Sequence, residues 1–467
     1  MKLLDYFSLK KNRNIYFSIF YFFIFLSVVN LLTYISSTNI NFPIQDEWGY
    51  IQRLNDYKQN SLSLFDYLFN KYQIYYIPGL FAFFAIFFKL FNLDFYVIQI
   101  IGILLLVLSG ILVGYYFMKS TSSKRPESFF FFISLFLLVT SLNFWATINQ
   151  SIESVIEPLV VIFTFLSTYF LIESLKSKSN GNLKILVSLF FYLLSISFYS
   201  TYIFLWMIVM LIFFWAHRHL IDLNFLLQKK MIILIIISLF VPMFYLGKSP
   251  PHQLNHIKDI ALDYNFFIQF IYLLTNALIN QNGIIDKTYN LLRFFSSLIF
   301  LIFIFYIYYN FFTITKRKKL NFLFPISLLS IGLITGLEIA LLNNELNFGS
   351  TPRYSIHMIF ILIGVIFYLG NDNRLPHSLK SLFLLFLLFN SLASQVGIRS
   401  HISNFNSSFR EYKNFMCNVK GPMDYHNKPD LIGKGVVDSV YPSILFLNET
   451  KNPSFIESCN LNDAIKS

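Results

Sequence analysis

Long apolar runs separated by short polar segments dominate this chain. Each run contains few charged residues and approaches the roughly 20 residues that a helix needs to cross the hydrocarbon core of a bilayer. The pattern predicts an all-α polytopic membrane protein with about eleven spans. These lie near residues 14–36, 95–118, 128–145, 155–175, 183–199, 201–217, 230–247, 289–313, 321–342, 354–370 and 379–396.

One further apolar segment, residues 77–93, is nearly long enough to cross and begins at Pro78-Gly79. If it lies along the outer interface, the later loops on the cytoplasmic side carry 15 Lys and Arg residues, and the later loops on the opposite side, around 146–154, 200, 248–293 and 343–353, carry 5. If it crosses, this bias is inverted, against the positive-inside rule. We therefore expect an interfacial helix in a first outer loop (37–94), a cytoplasmic N-terminus and an extracytoplasmic C-terminus.

Composition and charge narrow the class of protein. Of the 467 residues, 56% are hydrophobic and 13% are charged, which leaves too little polar surface for a soluble domain of this length. The net charge of +12 reflects basic residues in the short loops between spans, a pattern typical of membrane topology rather than of nucleic-acid binding. The inner loops contain no nucleotide-binding motif such as a P-loop. We expect no nucleic-acid partner, and any chemistry on the outer side.

The chain divides into a transmembrane domain, residues 1–396, and a small extracytoplasmic segment, residues 397–467. The first apolar run lacks a small-residue cleavage site, so we expect a retained helix in the bacterial inner membrane. In the C-terminal segment, residues 441–446 fit a strand. Cys417 and Cys459 are either joined in a disulfide, which an oxidising compartment favours, or free.

Two adjacent acids, Asp46 and Glu47, follow the first span. One alternative is that Asp46 caps a helix over residues 47–58. The other is that one carboxylate is a general base or ligates a divalent cation. Neighbours on a helix point about 100° apart, so we expect one acid, Asp46, to be central and Glu47 to support it. Tyr50 and Arg53 follow on the side of Asp46, and Arg53 is a candidate phosphate ligand.

Two other outer loops carry candidate ligands for a lipid phosphate. Arg353, followed by Tyr354 at the start of a span, is either a headgroup anchor or a guanidinium fork for phosphate. Lys248 and His252 flank Pro250-Pro251 in a loop that is either a phosphate or sugar contact, a metal site, or ordinary wet surface.

Three further glutamates are candidates. Glu153 and Glu157 lie four residues apart at the outer end of the fourth span and are either a solvated helix start or a functional pair on one face. Glu338 lies within a span, where an ionisable group is costly and marks a functional position by default. Arg293 and Arg353 are its expected partners.

The outer acid pair, followed by Tyr75-Tyr76-Ile77-Pro78, resembles the GT-C membrane glycosyltransferases, and the eleven-span layout is similar to the protein mannosyltransferase and aminoarabinose transferase branch. A poorly characterised bacterial group is closer still. It has a DQWDY-like start, a proline-headed segment, an outer Pro-Pro-His loop and a late Arg-Tyr. The counterparts, spread over residues 14–396, are Gln45-Asp46-Glu47-Trp48-Gly49-Tyr50, Ile77-Pro78, Pro250-Pro251-His252 and Arg353-Tyr354.

The resemblance implies a polyprenyl-phosphate sugar donor that is reached from the outer leaflet, with an outer carboxylate as base and basic groups on the departing phosphate. Where relatives often carry an Asn-Glu-His-Arg-like patch, this chain has Asn70-Lys71-Tyr72-Gln73, so Gln73 is the candidate substrate contact there. The alternatives are a flippase or transporter of lipid-linked saccharides, a polysaccharide polymerase or ligase, and an inactive scaffold for envelope assembly. The implied partners are the lipid-linked sugar and the bilayer, and a divalent cation stays open as a cofactor.

Overall fold

The computed structural model describes most of the chain. The described residues are 13–38, 41–44, 46–70, 77–120, 126–176, 181–217, 228–247, 264–274, 277–278, 287–313, 316–342, 355–372, 374–400, 402–418 and 437–464. Within these ranges the regular structure is entirely helical and contains no strand.

Nineteen α-helices cover the described residues. The first nine are α1 (Arg13–Thr38), α2 (Glu47–Lys58), α3 (Leu64–Phe69), α4 (Pro78–Phe91), α5 (Phe95–Ser120), α6 (Pro126–Val139), α7 (Trp145–Asn149), α8 (Ser151–Lys176) and α9 (Gly181–Phe198). The other ten are α10 (Leu205–His217), α11 (Lys229–Gly247), α12 (Tyr264–Leu274), α13 (Lys287–Thr313), α14 (Lys316–Leu342), α15 (Ile359–Asn371), α16 (His377–Ser400), α17 (Ile402–Cys417), α18 (Val437–Glu449) and α19 (Pro453–Ala464). Short 3₁₀ turns, Leu142–Phe144 and Ser200–Tyr202, precede α7 and α10.

Seven helices in the described part of the chain are long and apolar enough to cross a membrane. They are α1 from Ser18, α5, α8, α9, α13 from Arg293, α14 and α16. Five shorter apolar segments accompany them: Pro78–Phe91, Ser128–Phe144, Ser200–Ala216, Lys230–Phe244 and Ile359–Asn371. The expectation of an all-α membrane protein is confirmed at this level, and eleven spans stay a prediction.

Helix α8 lies at the centre of the bundle, packed against α5 on one side and α9 on the other. Gly102 of α5 lies so close to Ser154 of α8 that a Cβ on it would lie 2.5 Å from the Ser154 carbonyl oxygen. On the other side, Ser167 Oγ donates to Ser188 O at 3.0 Å, and Thr164 and Ser195 pair through their hydroxyls at 2.6 Å. Small residues and hydroxyl pairs of this kind let membrane helices pack closely without a hydrophobic driving force between them.

Helix α4 is the segment whose placement was ambiguous. Its 14 residues begin at Pro78 and end before Asn92, which has a left-handed backbone conformation. At about 1.5 Å per residue the helix is about 21 Å long, shorter than the roughly 30 Å hydrocarbon core. It packs against α2, α3 and α9. Because α10 and α15 are shorter still, at 13 residues each, this length does not decide whether α4 crosses, and its interfacial position stays a prediction.

The C-terminal residues differ from the prediction in one respect. Residues 441–446 belong to α18, so the predicted strand is wrong. Val440, Ile444 and Leu447 are all buried, and their spacing of four and three residues places them on one helical face. That face packs on α2, where Ser443 Oγ donates to Trp48 O at 2.8 Å.

The tail also packs on the segment that follows α1. Trp48 Nε1 donates to Tyr412 Oη of α17 at 2.6 Å, and the Phe42 ring stacks on Phe455 of α19 with centroids 5.3 Å apart. A disulfide between Cys417 and Cys459 joins α17 to α19 across a sequence separation of 42. Of the two alternatives for these cysteines, a disulfide or free thiols, the structure has the disulfide. The predicted boundary at residue 397 falls within α16.

Candidate functional site

Glu47 is the most enclosed of the predicted catalytic residues, with 1% of its surface exposed. Its carboxylate accepts a hydrogen bond from Ile152 N at 3.0 Å, in the first turn of α8, and another from Ile44 N at 2.9 Å. A helix N-terminus is a favourable place for a negative charge. Burial nevertheless raises the pKa of Glu47 to about 8, because desolvation outweighs the backbone N–H donors and nearby Glu153 raises the pKa further.

Asp46 occupies the N-cap position of α2, since its carbonyl oxygen accepts from Gly49 N at 3.0 Å and Tyr50 N at 3.2 Å. Its side chain makes no cap hydrogen bond. Asp46 is therefore at the predicted N-cap position, but its carboxylate does not cap the helix. One carboxylate oxygen of Glu47 links α2 to Ile152 of α8 and the other accepts from Ile44, just before α2, while its supporting role stays a prediction.

Glu153 and Glu157 lie in the first two turns of α8, as the spacing predicted, but they are not solvated. Their exposed fractions are 8% and 4%, so the alternative of a wet helix start is wrong. Tyr50 Oη donates to Glu153 at 3.3 Å, and Thr147 Oγ1 donates to Glu157 at 2.6 Å. The start of α8 is covered by α2 and α7, which a local reading of the sequence does not reveal.

Glu47, Glu153 and Glu157 together form what we call the acidic cluster, at one end of the bundle. A histidine that the sequence analysis missed, His357, extends it. Its Nε2 lies 3.8 Å from Glu157 Oε1, and its Nδ1 lies 3.1 Å from Tyr202 Oη. The signal was present in the sequence, since His357 is the one titratable side chain of the apolar run at 354–370 apart from Tyr354 and Tyr368.

Glu338 lies on α14, near the same end. Its charge and that of Glu157 both act on the Tyr202 phenol, which places the three groups in one neighbourhood. Arg293, one of the expected partners of Glu338, donates to Tyr272 O at 3.4 Å and lies over the Tyr272 ring. Glu338 lies within the apolar part of α14, Asn321–Leu341, which is long enough to cross a membrane.

Arg53 is largely occupied by the protein itself. Its Nε donates to Tyr67 O at 2.9 Å, and one terminal nitrogen donates to Asp66 O at 2.8 Å and Asn70 O at 2.6 Å. The guanidinium also lies 4.1 Å from the centroid of the Phe81 ring. These contacts satisfy the orphan carbonyls at the end of α3, so the geometry gives Arg53 a structural role in place of the predicted phosphate contact.

The remaining candidates lie outside the described residues. They are Gln73, Lys248, His252, Arg353 and Tyr354. Among the residues that the structure describes, no group of three or more His, Cys, Asp or Glu side chains has a metal-binding arrangement. A divalent cation therefore stays a prediction.

The chemical capacity of the site follows from its enclosure. Carboxylates shielded from water hold protons more tightly than usual, and Glu47, whose pKa is about 8, can hold or release a proton near neutral pH. His357 and Tyr202 provide further groups for proton exchange beside Glu157. No protein-family model, curated protein or solved structure matches this chain.

Proposed function

We propose that this chain is an integral-membrane glycosyltransferase that moves a sugar from a polyprenyl-phosphate donor to an envelope acceptor on the extracytoplasmic face. The observation that carries the proposal is the acidic cluster at one end of the helical bundle, one member of which, Glu47, is the sequence neighbour of Asp46. Buried carboxylates in a membrane protein are costly and are retained where they act on substrate or protons.

In the proposed reaction, Asp46 removes the proton from an acceptor hydroxyl. The hydroxyl oxygen forms a bond to the anomeric carbon of the sugar as the bond from that carbon to the phosphate oxygen breaks. Polyprenyl phosphate leaves with the electron pair, and the charge that develops on it requires nearby cations, for which Arg353 and Lys248 are the candidates. Glu47 fixes the start of α2 by holding Ile44 N and Ile152 N, and so positions Asp46.

The proposed topology has eleven spans, with four of the shorter apolar segments crossing and α4 lying at the outer interface. The disulfide supports this orientation. Cys417 and Cys459 join the helices α17 and α19, and Tyr412 of α17 contacts Trp48, the neighbour of Glu47. Disulfides persist in oxidising compartments, so the end that carries the acidic cluster is expected to face outward from a bacterial inner membrane.

The test uses purified protein in nanodiscs supplied with polyprenyl-phosphate sugars, with release of polyprenyl phosphate as the measurement. Asp46→Asn should lose release, because an amide cannot take the proton of the acceptor hydroxyl. Asp56→Asn, the same substitution later in α2, is the matched control and should keep release. Unchanged turnover in both Asp46→Asn and Glu47→Gln would refute the proposal.

A second candidate, a transporter or flippase of lipid-linked saccharides, is favoured by one observation. Glu157, His357 and Tyr202 form a buried chain of proton-exchanging groups, with Glu338 nearby in a spanning helix. Such chains act as proton relays in transporters. Transport into proteoliposomes without a covalent product, lost in His357→Gln, would favour this candidate over the enzyme.

A further inference from the structure

A cavity of about 340 Å³ lies at the opposite end of the bundle from the acidic cluster. Helix α8 links the two, since Glu153 and Glu157 are in its first turns and Glu173 and Lys176 are in its last. At about 1.5 Å per residue, its 26 residues extend about 39 Å, close to the thickness of a bilayer with its headgroups. The cavity is therefore level with the headgroups of the other membrane face.

The walls of the cavity are amphipathic. The ends of α5 and α8 and parts of α14 and α15 form it, with an apolar lining that includes Ile172 and Phe324. Its polar lining consists of Lys119, Ser120, Glu173, Lys176, Asn321 and Asn371. A volume of a few hundred Å³ with apolar walls and a few convergent polar groups is typical of small-ligand sites.

The charged groups around the cavity are mostly basic and are held in place. The Lys119 ammonium lies 5.4 Å from the centroid of the Tyr169 ring, a cation–π contact. Lys176 and Lys184 lie 3.6 Å and 3.8 Å from the Glu173 carboxylate. Lys119 and Lys176 line the cavity together with Glu173, and Lys184 pairs with the same carboxylate, so basic groups outnumber the acid at the mouth of the cavity.

We propose that this cavity binds the phosphate of an anionic phospholipid headgroup at the membrane face opposite the acidic cluster. Lys119 and Lys176 supply charge-assisted hydrogen bonds to the phosphate oxygens, and the Asn321 and Asn371 amides are donors for the remaining oxygens. The apolar wall accepts the start of the acyl chains. Basic pockets between spanning helices bind anionic headgroups in this way. The inference does not depend on the proposed glycosyltransferase activity.

The test is a titration of the detergent-solubilised full chain with lipid. Native mass spectrometry measures the fraction of the protein that has lipid bound. Phosphatidylglycerol is the probe, with phosphatidylcholine as the zwitterionic control and inorganic phosphate as the soluble source of the same group. Lys119→Gln and Lys176→Gln should each weaken phosphatidylglycerol binding by about fivefold. Glu173→Gln should tighten it, because the variant removes the acid that pairs with Lys176 and Lys184.

The matched control is Lys58→Gln in α2, since Lys58 also lies over an aromatic ring, that of Phe88, but on a helix away from the cavity. It should leave binding unchanged, and Lys119→Arg should restore most of what Lys119→Gln loses. Equal affinity for phosphatidylglycerol and phosphatidylcholine, or a change of the same sign in the lysine and Glu173 variants, would overturn the proposal. Inorganic phosphate that binds as tightly as phosphatidylglycerol would overturn the assignment to a lipid.

Discussion

Glu47→Gln tests whether a buried carboxyl group couples the first outer helix to the central helix of the bundle. The wild-type side chain is 1% exposed and accepts from Ile152 N at 3.0 Å and Ile44 N at 2.9 Å. Its pKa in the folded protein is about 8, against 4.5 as the ordinary value, with burial as the main cause. Glutamine has nearly the same shape but neither charge nor a titratable proton.

The sign of the pH effect follows from proton binding in the two states. Below pH 4.5 the carboxyl is protonated both folded and unfolded, and its contribution to stability is fully present. Between pH 4.5 and about 8 the unfolded chain has lost the proton and the folded chain keeps it, so stability falls as pH rises. At about 1.4 kcal/mol per pH unit, the whole window corresponds to an upper limit of roughly 5 kcal/mol.

The Glu47→Gln variant should lack this pH-dependent contribution to the free energy of unfolding. It should also lose roughly 1–3 kcal/mol at every pH, because one end of the amide is a donor and faces a backbone N–H. The measurement is thermal unfolding in detergent between pH 5 and 8, with the difference in free energy of unfolding between wild type and Glu47→Gln plotted against pH. That difference, wild type minus variant, cancels the titration of other groups; it should fall as pH rises and change sign once the titration effect exceeds the constant loss in the variant.

The control is Glu411→Gln, the same substitution at an exposed position on α17. It should leave the pH profile of the wild type unchanged. Parallel profiles for wild type and Glu47→Gln across the whole range would refute the reasoning, because they would mean that Glu47 has the same proton affinity in the folded and unfolded chain.

Two further predictions concern the hydrogen bonds of Arg53 and the disulfide between Cys417 and Cys459. Arg53→Lys should destabilise the protein by about 2 kcal/mol, since an ammonium cannot reach the three carbonyls of Tyr67, Asp66 and Asn70 together, and Lys58→Arg on the same helix should not. A denaturant titration checks this, and equal stability of the Arg53→Lys protein would contradict the structural role. Cys417→Ser should cost about 4 kcal/mol, the loop entropy for a separation of 42 residues. Reductant should lower the unfolding midpoint of the wild type and leave that of the variant unchanged; a wild type insensitive to reductant would contradict the disulfide's contribution.

The apolar pattern by itself determined the helical class of this protein. The length and hydrophobicity of a run are local properties, and a bilayer selects helices by those properties alone. The same pattern placed α8 and α14 near their observed positions. It failed at residues 441–446, because six apolar and small residues fit a strand or a helix equally well until α2 provides the packing partner.

The partners of the candidate acids depended on tertiary structure. Glu47 bonds to Ile152, 105 residues away, and Glu157 lies against His357, 200 residues further along the chain. The sequence left open whether the glutamates of α8 are a solvated helix start or a functional pair, and only the packing of other segments around that end shows that they are shielded from water. Burial by a distant segment is invisible in local sequence, yet it sets the proton affinity of a carboxyl group and therefore the chemistry that it can perform.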